Sequence, residues 1–303
     1  MATTPTSPTK SGLPAALAAY LIWGFLPLYL LLVREVPAFE FVGWRIIWTL
    51  PLCLLIVLAR GQFGELRAAL QDRKALLILA CSATLIAINW LVYIWAIMEG
   101  EVYAASLGYY INPLLNVLLG TLILREKLSR AQWVAVALAG AGVALLMGGA
   151  LTTLWISLTL AVSFGLYGLL RKQVSVGALP GLTIESAILL LPAAGIAMWY
   201  AGTPQGSSFG GDITLSIFII FGGVVTAVPL LLYAVAARRM DYSTLGFIQF
   251  LAPTIVFLLG LTVFEEELEP LRLASFVLIW IAAGIFVRDL LKKSRKRVEP
   301  TKI

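Results

Sequence analysis

The chain has 303 residues, 60% of them apolar and 13% charged, with a mean hydropathy of +0.95 and a net charge of +6. Soluble domains run at about 45–50% apolar and about 25% charged, so the composition excludes a soluble protein and leaves an integral membrane protein. The sequence has no histidine, which excludes imidazole as metal ligand, general base or proton relay.

In chain order, residues 1–12 form a short polar tail. The apolar run 13–33 suits a retained span better than the shorter core of a cleaved signal peptide. Nine further runs follow, at 38–59, 75–97, 103–124, 131–148, 152–170, 181–201, 213–236, 242–264 and 271–290, joined by short connections. Each is near the roughly 20 residues that cross the hydrocarbon, and backbone polar groups cannot stay unpaired in lipid, so all ten read as helices. Cys53 and Cys81 lie in these runs as small buried residues, not as a disulfide framework.

Several spans carry polar stripes. The first holds Tyr20, Trp23 and Pro27, and the third Asn89, Trp90 and Tyr93. The fourth, "LGYYINPLLNVLLG", places Tyr109, Asn112 and Asn116 on one helical face, with Pro113 freeing a carbonyl near Tyr109. The sixth holds Ser163 and Tyr167, the eighth Thr226, Pro229 and Tyr233, and the ninth Gln249 and Pro253. Each stripe is either helix-to-helix hydrogen bonding or part of one aromatic-walled cavity. The cavity set is Trp23, Asn89, Trp90, Tyr109, Asn112, Asn116, Tyr167, Tyr233 and Gln249, with Pro113 and Pro253 as kinks or hinges.

Three charges in the second and seventh spans stand out. Arg45 is deep in the second, Glu40 sits at its outer edge, and Glu185 lies in the seventh near the cytoplasmic face. An intramembrane charge must face protein or water. Each of the three is either a structural ion-pair partner or a gate or coupling site, and by depth Arg45 and Glu185 do not pair. The fifth and tenth spans are rich in small residues, for close packing within the monomer or at a homodimer contact.

Placing the amino terminus inside puts every lysine and arginine in cytoplasmic segments except Arg34, Arg45 and Arg272. Both termini are therefore expected in the cytoplasm. The basic tail after Arg288 reads as an anchor touching anionic lipid. It lacks the stacking aromatics that nucleic acid would require.

A shift of 140 residues lays "LGYYINPLLNVLLG" on "FIQFLAPTIVFLLG". Pro113 meets Pro253, Gly120 meets Gly260, and Glu126 meets Glu266. The repeat unit is five helices, an odd number, so the second copy enters from the opposite side. The expected fold is all-α, with ten transmembrane helices as two inverted five-helix repeats at 13–148 and 152–290, followed by a basic tail at 291–303. Inverted repeats of this kind build secondary transporters.

No metal or cofactor site is expected. A Walker A sequence is absent, as are HExxH, GxSxG and any aspartate deep in a span, which leaves no recognisable ATPase or intramembrane enzyme. A small-molecule transporter is the leading expectation, and a membrane sensor or assembly protein with a transporter-like fold is the alternative.

The stretches "INWLVYIWAI", "ASLGYYINPLLNVLLG", "GLYGLLRK" and "VVTAVPLLLYAVAARRM" give the whole chain a resemblance to the drug/metabolite transporter superfamily. Within it the chain resembles EamA-type permeases and most closely the RarD group. The resemblance implies a permease of the bacterial inner membrane that moves metabolites, amino acids or drugs. It also implies a cavity lined by spans 1, 3, 4, 6, 8 and 9. The group often carries an acidic residue where Ala104 stands, so no coupling role is carried over to that position.

Overall fold

The structure, a computed structural model, describes residues 12–147, 153–265 and 267–298, with side chains described as far as Lys292. Most of the amino-terminal tail, Glu266 and the end of the basic tail lie outside the described residues, as does the junction between the two expected repeats.

Twelve α-helices are present among the described residues. They are α1 (Leu13–Leu30), α2 (Ala38–Ala59), α3 (Phe63–Gln71), α4 (Arg73–Met98), α5 (Val102–Leu122), α6 (Arg130–Met147), α7 (Leu154–Gln173), α8 (Ala178–Ala201), α9 (Ile213–Arg239), α10 (Tyr242–Gln249), α11 (Leu251–Thr262) and α12 (Pro270–Val298). Ten membrane spans result, at the positions expected from sequence, with α10 and α11 together forming the ninth. Two elements differ from expectation. The connection between the second and third spans folds as α3, a short helix with Leu66 and Ala69 buried. The last helix continues to Val298 instead of ending near 290.

The ninth span breaks at Phe250, three residues before Pro253. Proline has no N–H to give the carbonyl four residues back, and its ring crowds that carbonyl. Here that residue is Gln249, where α10 ends. By contrast α5 runs unbroken through Pro113.

The chain divides into two compact units that draw on both halves of the sequence. Unit 1 comprises residues 1–94 and 166–241, and unit 2 comprises 95–165 and 242–303, so α4 and α7 each contribute to both. In unit 1, α2 packs against both α8 and α9, and α1 packs on α9. The approach is close because small residues face backbone. A Cβ on Gly223 would lie 2.6 Å from the carbonyl carbon of Trp48, and one on Gly43 would lie 3.1 Å from the Ala193 carbonyl oxygen. Lys172 closes the end of α9 by donating to the carbonyls of Ala237 and Met240, at 2.9 and 2.7 Å.

In unit 2, α6 packs along α12 and α5 along α10. Gly142 of the small-residue run touches α12, and the Ser275 hydroxyl donates to the Gly142 carbonyl at 2.6 Å. The carboxylate of Glu126 caps α10. It accepts the N–H of Tyr242 at 2.6 Å, the N–H of Ser243 at 2.8 Å and the Ser243 hydroxyl at 2.7 Å. A helix start leaves its first N–H groups without partners, and an anion there also meets the positive end of the helix dipole. Arg125 and Glu265 are the two non-glycine residues with positive φ among those described, at 57° and 53°. They coincide under the 140-residue shift, so the turn after the fourth span recurs after the ninth.

Replacing Glu126 with alanine is expected to cost about 1–2 kcal/mol of stability, the value of a helix cap. Denaturant unfolding in detergent should show this loss, while Lys127→Ala, on an exposed neighbour, leaves the midpoint unchanged.

Candidate functional site

Unit 1 encloses a narrow cavity lined by residues of α2, α4, α7, α8 and α9. Its polar groups are Thr49, Tyr167, Glu185, Ser186 and Thr226, and its walls include Trp90, Ile86 and Leu230. The space open to the centre of a water molecule is about 10 Å3, which is room for about one water.

Glu185 gives this cavity its charge. The residue is 2% exposed. Its Oε1 accepts the hydroxyl of Ser82 and lies 3.7 Å from Nε of Arg171, an ion pair longer than a hydrogen bond. Its Oε2 is buried and has no hydrogen-bond partner. Arg171 is itself 1% exposed. Its Nη2 donates to the Ala178 carbonyl at 2.8 Å, while its Nε and Nη1 are buried without a hydrogen-bond partner. Gly181 leaves room for the guanidinium, since a Cβ there would lie 2.8 Å from Cζ of Arg171.

An aromatic group continues from this pair. Tyr167 stacks on Tyr233, with centroids 6.2 Å apart and planes 14° from parallel. Tyr233 meets Trp23 at 5.8 Å, and Trp23 meets Tyr20 at 5.6 Å. On another wall the Arg45 guanidinium lies 4.3 Å from the centre of the Trp90 ring, which offers a cation–π contact. The hydroxyls of Thr49 and Thr226 spend their hydrogens on backbone carbonyls, of Arg45 at 2.7 Å and of Gly222 at 2.8 Å.

Glu40 is buried elsewhere in unit 1. It accepts from the Ser207 hydroxyl at 2.6 Å, from the N–H and hydroxyl of Ser208 at 2.8 Å each, and from Trp44 Nε1 at 3.1 Å. The loop carrying those serines places Phe209 against Trp44 and Trp48, at 4.4 and 5.9 Å. In this arrangement Glu40 anchors the segment between α8 and α9.

Three of the amide residues, Asn112, Asn116 and Gln249, fall in unit 2. Asn112 donates to the Ala161 carbonyl at 2.7 Å. Asn116 donates to Asn112 at 3.1 Å and to Gln249 at 2.8 Å. Gly246 lets α10 approach, as a Cβ there would lie 2.7 Å from the Pro113 carbonyl oxygen. The three amides thus join α5 to α7 and α10. Tyr109 is half-buried on α5, and Asn89 is buried on α4.

Residues 10–148 match the EamA-like transporter family. An uncharacterized transporter of Pseudomonas aeruginosa is 40% identical over 97% of this chain and 99% of its own length. Protein RarD of Escherichia coli is 40% identical over 95% of this chain and 97% of its own. The chain belongs to the EamA-like transporter family, in its RarD group. A solved crystal structure of a protein only 19% identical superposes with a TM-score of 0.70, covering 92% of this chain and 98% of that one, which speaks for the fold alone. The chain is a multi-pass membrane transporter.

In this EamA transporter, Trp90, Tyr167 and Glu185 line the unit 1 cavity, and Trp23 and Tyr233 extend from it through ring contacts. The second and seventh spans supply wall residues, Thr49 and Leu182 among them, and of the six spans the resemblance implied the third, sixth and eighth do so. Sequence reasoning missed Ser82 and Arg171. Arg171 was counted among the cytoplasmic anchors, although its spacing from Tyr167 puts both on one helical face.

Removing one partner of a buried ion pair strands the other charge and costs about 3–5 kcal/mol, whereas replacing both with apolar residues is often neutral. Arg171→Met should therefore lower the unfolding free energy by about that amount. The double variant Arg171→Met/Glu185→Met should recover most of it, as read by a double-mutant cycle in detergent.

Proposed function

We propose that this chain is a secondary transporter that carries a small metabolite or drug across the bacterial inner membrane by alternating access. The observation that carries this reading is the set of ten membrane-spanning helices in a chain of the EamA-like transporter family, with a buried carboxylate and stacked aromatic rings inside one of its units. Small-molecule sites combine largely apolar walls with a few placed polar groups in the same way. The sequence lacks a nucleotide-binding motif, which favours a gradient over ATP as the energy source.

In this reading the ten spans form two inverted five-helix repeats, a reading supported by the recurrence of the left-handed turn at Arg125 and Glu265. Both termini face the cytoplasm, as the lysine and arginine distribution favours, and the basic tail meets anionic lipid. The protein works as a monomer or homodimer, with no nucleic acid and no cofactor. Trp23, Trp90, Tyr167 and Tyr233 form the aromatic side of the solute path. Asn89, Tyr109, Asn112, Asn116 and Gln249 are further hydrogen-bonding residues on which transport is proposed to depend, with Pro113 and Pro253 as hinges of their own spans.

The test begins with a broad metabolite and drug panel, screened for compounds that raise the thermal midpoint of the purified protein. Hits are then followed as flux into liposomes. Trp90→Ala and Tyr233→Ala should each weaken the solute by about tenfold, the worth of about 1.4 kcal/mol. Asn112→Ala and Gln249→Ala should cut flux while membrane insertion stays normal. If no compound stabilises or crosses with the native protein, the transport reading fails. A reporter fused after Ile303 should be active only in its cytoplasmic form, and a periplasmic signal would overturn the topology.

A further inference from the structure

We propose that the carboxylate of Glu185 is the proton site that couples a transmembrane proton gradient to solute movement. This rests on the transporter reading above and names its driving ion.

Geometry sets the ligand. Glu185 lines the cavity; its Oε2 is shut off from bulk water and takes no hydrogen bond, while Oε1 is held by Ser82 and Arg171. A buried acceptor left without a donor is costly, and a proton on Oε2 turns that acceptor into a donor. The new O–H finds acceptors. Thr49 and Thr226 line the same space, and their hydrogens already go to backbone carbonyls, which leaves their lone pairs free. The cavity holds about one water, the size of a proton carrier and too small for an organic solute. Its remaining walls are mostly apolar, so a metal ion would lose its hydration there without enough oxygen ligands in return.

The groups facing Glu185 make both charge states reachable. Arg171 and Tyr167 face it from α7 and Cys53 from α2. From α4 it meets the uncharged Ser82, and α9 adds uncharged Thr226 and Leu230.

The step balances simply. A proton from water on one side of the membrane adds to Oε2, and no electrons change hands. The Arg171–Glu185 pair passes from neutral to a single positive charge. When the acid ionises again, the proton leaves to water on the other side. In the protonated state Arg171 loses its attraction to the Glu185 carboxylate and keeps the Ala178 carbonyl. Because Tyr167 stacks on Tyr233, proton occupancy is felt in the aromatic wall.

The test uses the full-length protein in liposomes on a solid-supported membrane sensor. A pH jump should evoke a transient current in the native protein and none in Glu185→Gln, while a sodium jump at constant pH evokes none in either. A full transient in Glu185→Gln, its loss only in Glu40→Gln, or a sodium-evoked transient would overturn the proposal. If Glu185→Gln does not fold, Ser82→Ala keeps the carboxylate and removes one bond to it. The midpoint of the transient's pH dependence should then move, and an unmoved midpoint overturns the proposal. Solute counterflow without a pH gradient separates the two readings. Counterflow with no pH-evoked transient sinks the proton site alone. A Glu185-dependent transient with no solute flux sinks the transport reading alone.

Discussion

Within the span of a membrane there is no water to complete a hydrogen bond, and this constraint organises the polar chemistry of the chain. Its spans carry many hydroxyls, amides and charges, and most turn inward to a named partner. Threonines fold back on the carbonyl four residues earlier, as Thr183 does to Leu179 at 2.9 Å and Thr254 to Phe250 at 2.8 Å. The amides of Asn112, Asn116 and Gln249 bond to one another and to a backbone carbonyl. Glu126 and Glu40 are saturated by backbone N–H groups and serine hydroxyls. Glu185 is only half satisfied: one of its oxygens is spent on Ser82 and Arg171, and the other is buried without a hydrogen-bond partner.

The same constraint explains how much was legible in the sequence. A helix is the cheapest way to pair every backbone group in lipid, so each apolar run of adequate length declares a span. All ten were readable on that ground. The broken ninth span was foreshadowed by Pro253, although Pro113 in an equivalent setting leaves α5 continuous. Tertiary packing decides between those outcomes, and a single sequence does not encode it openly. The α3 helix escaped notice because it is short and half polar, below the length at which an apolar run stands out.

Partners were harder to read than spans. Depth and helical face can be computed from position, but the helix lying opposite cannot. Asn112, Asn116 and Gln249 were grouped as polar and inward, and only the fold shows them bonded to each other. Arg171 was read by its place beside Lys172 at a span end, where basic residues commonly anchor to the cytoplasm. It is instead buried, above a glycine that makes room for it and across from the one carboxylate the seventh span carries. Glu185 was recognised as a gate or coupling candidate because charge in a span is expensive. The identity of its partner required the structure.

The central claim is that the cavity beside Glu185 opens in turn to the two sides of the membrane. Thr226 lines that cavity, and Cys53 and Cys81 are the native thiols of the chain. With both replaced by serine and Thr226 by cysteine, a membrane-impermeant thiol reagent can be applied from either face of sealed vesicles. The account predicts labelling from both faces, with a shift in pH or a transported solute that raises one rate lowering the other. Labelling confined to one face under all conditions, or from neither, would contradict it.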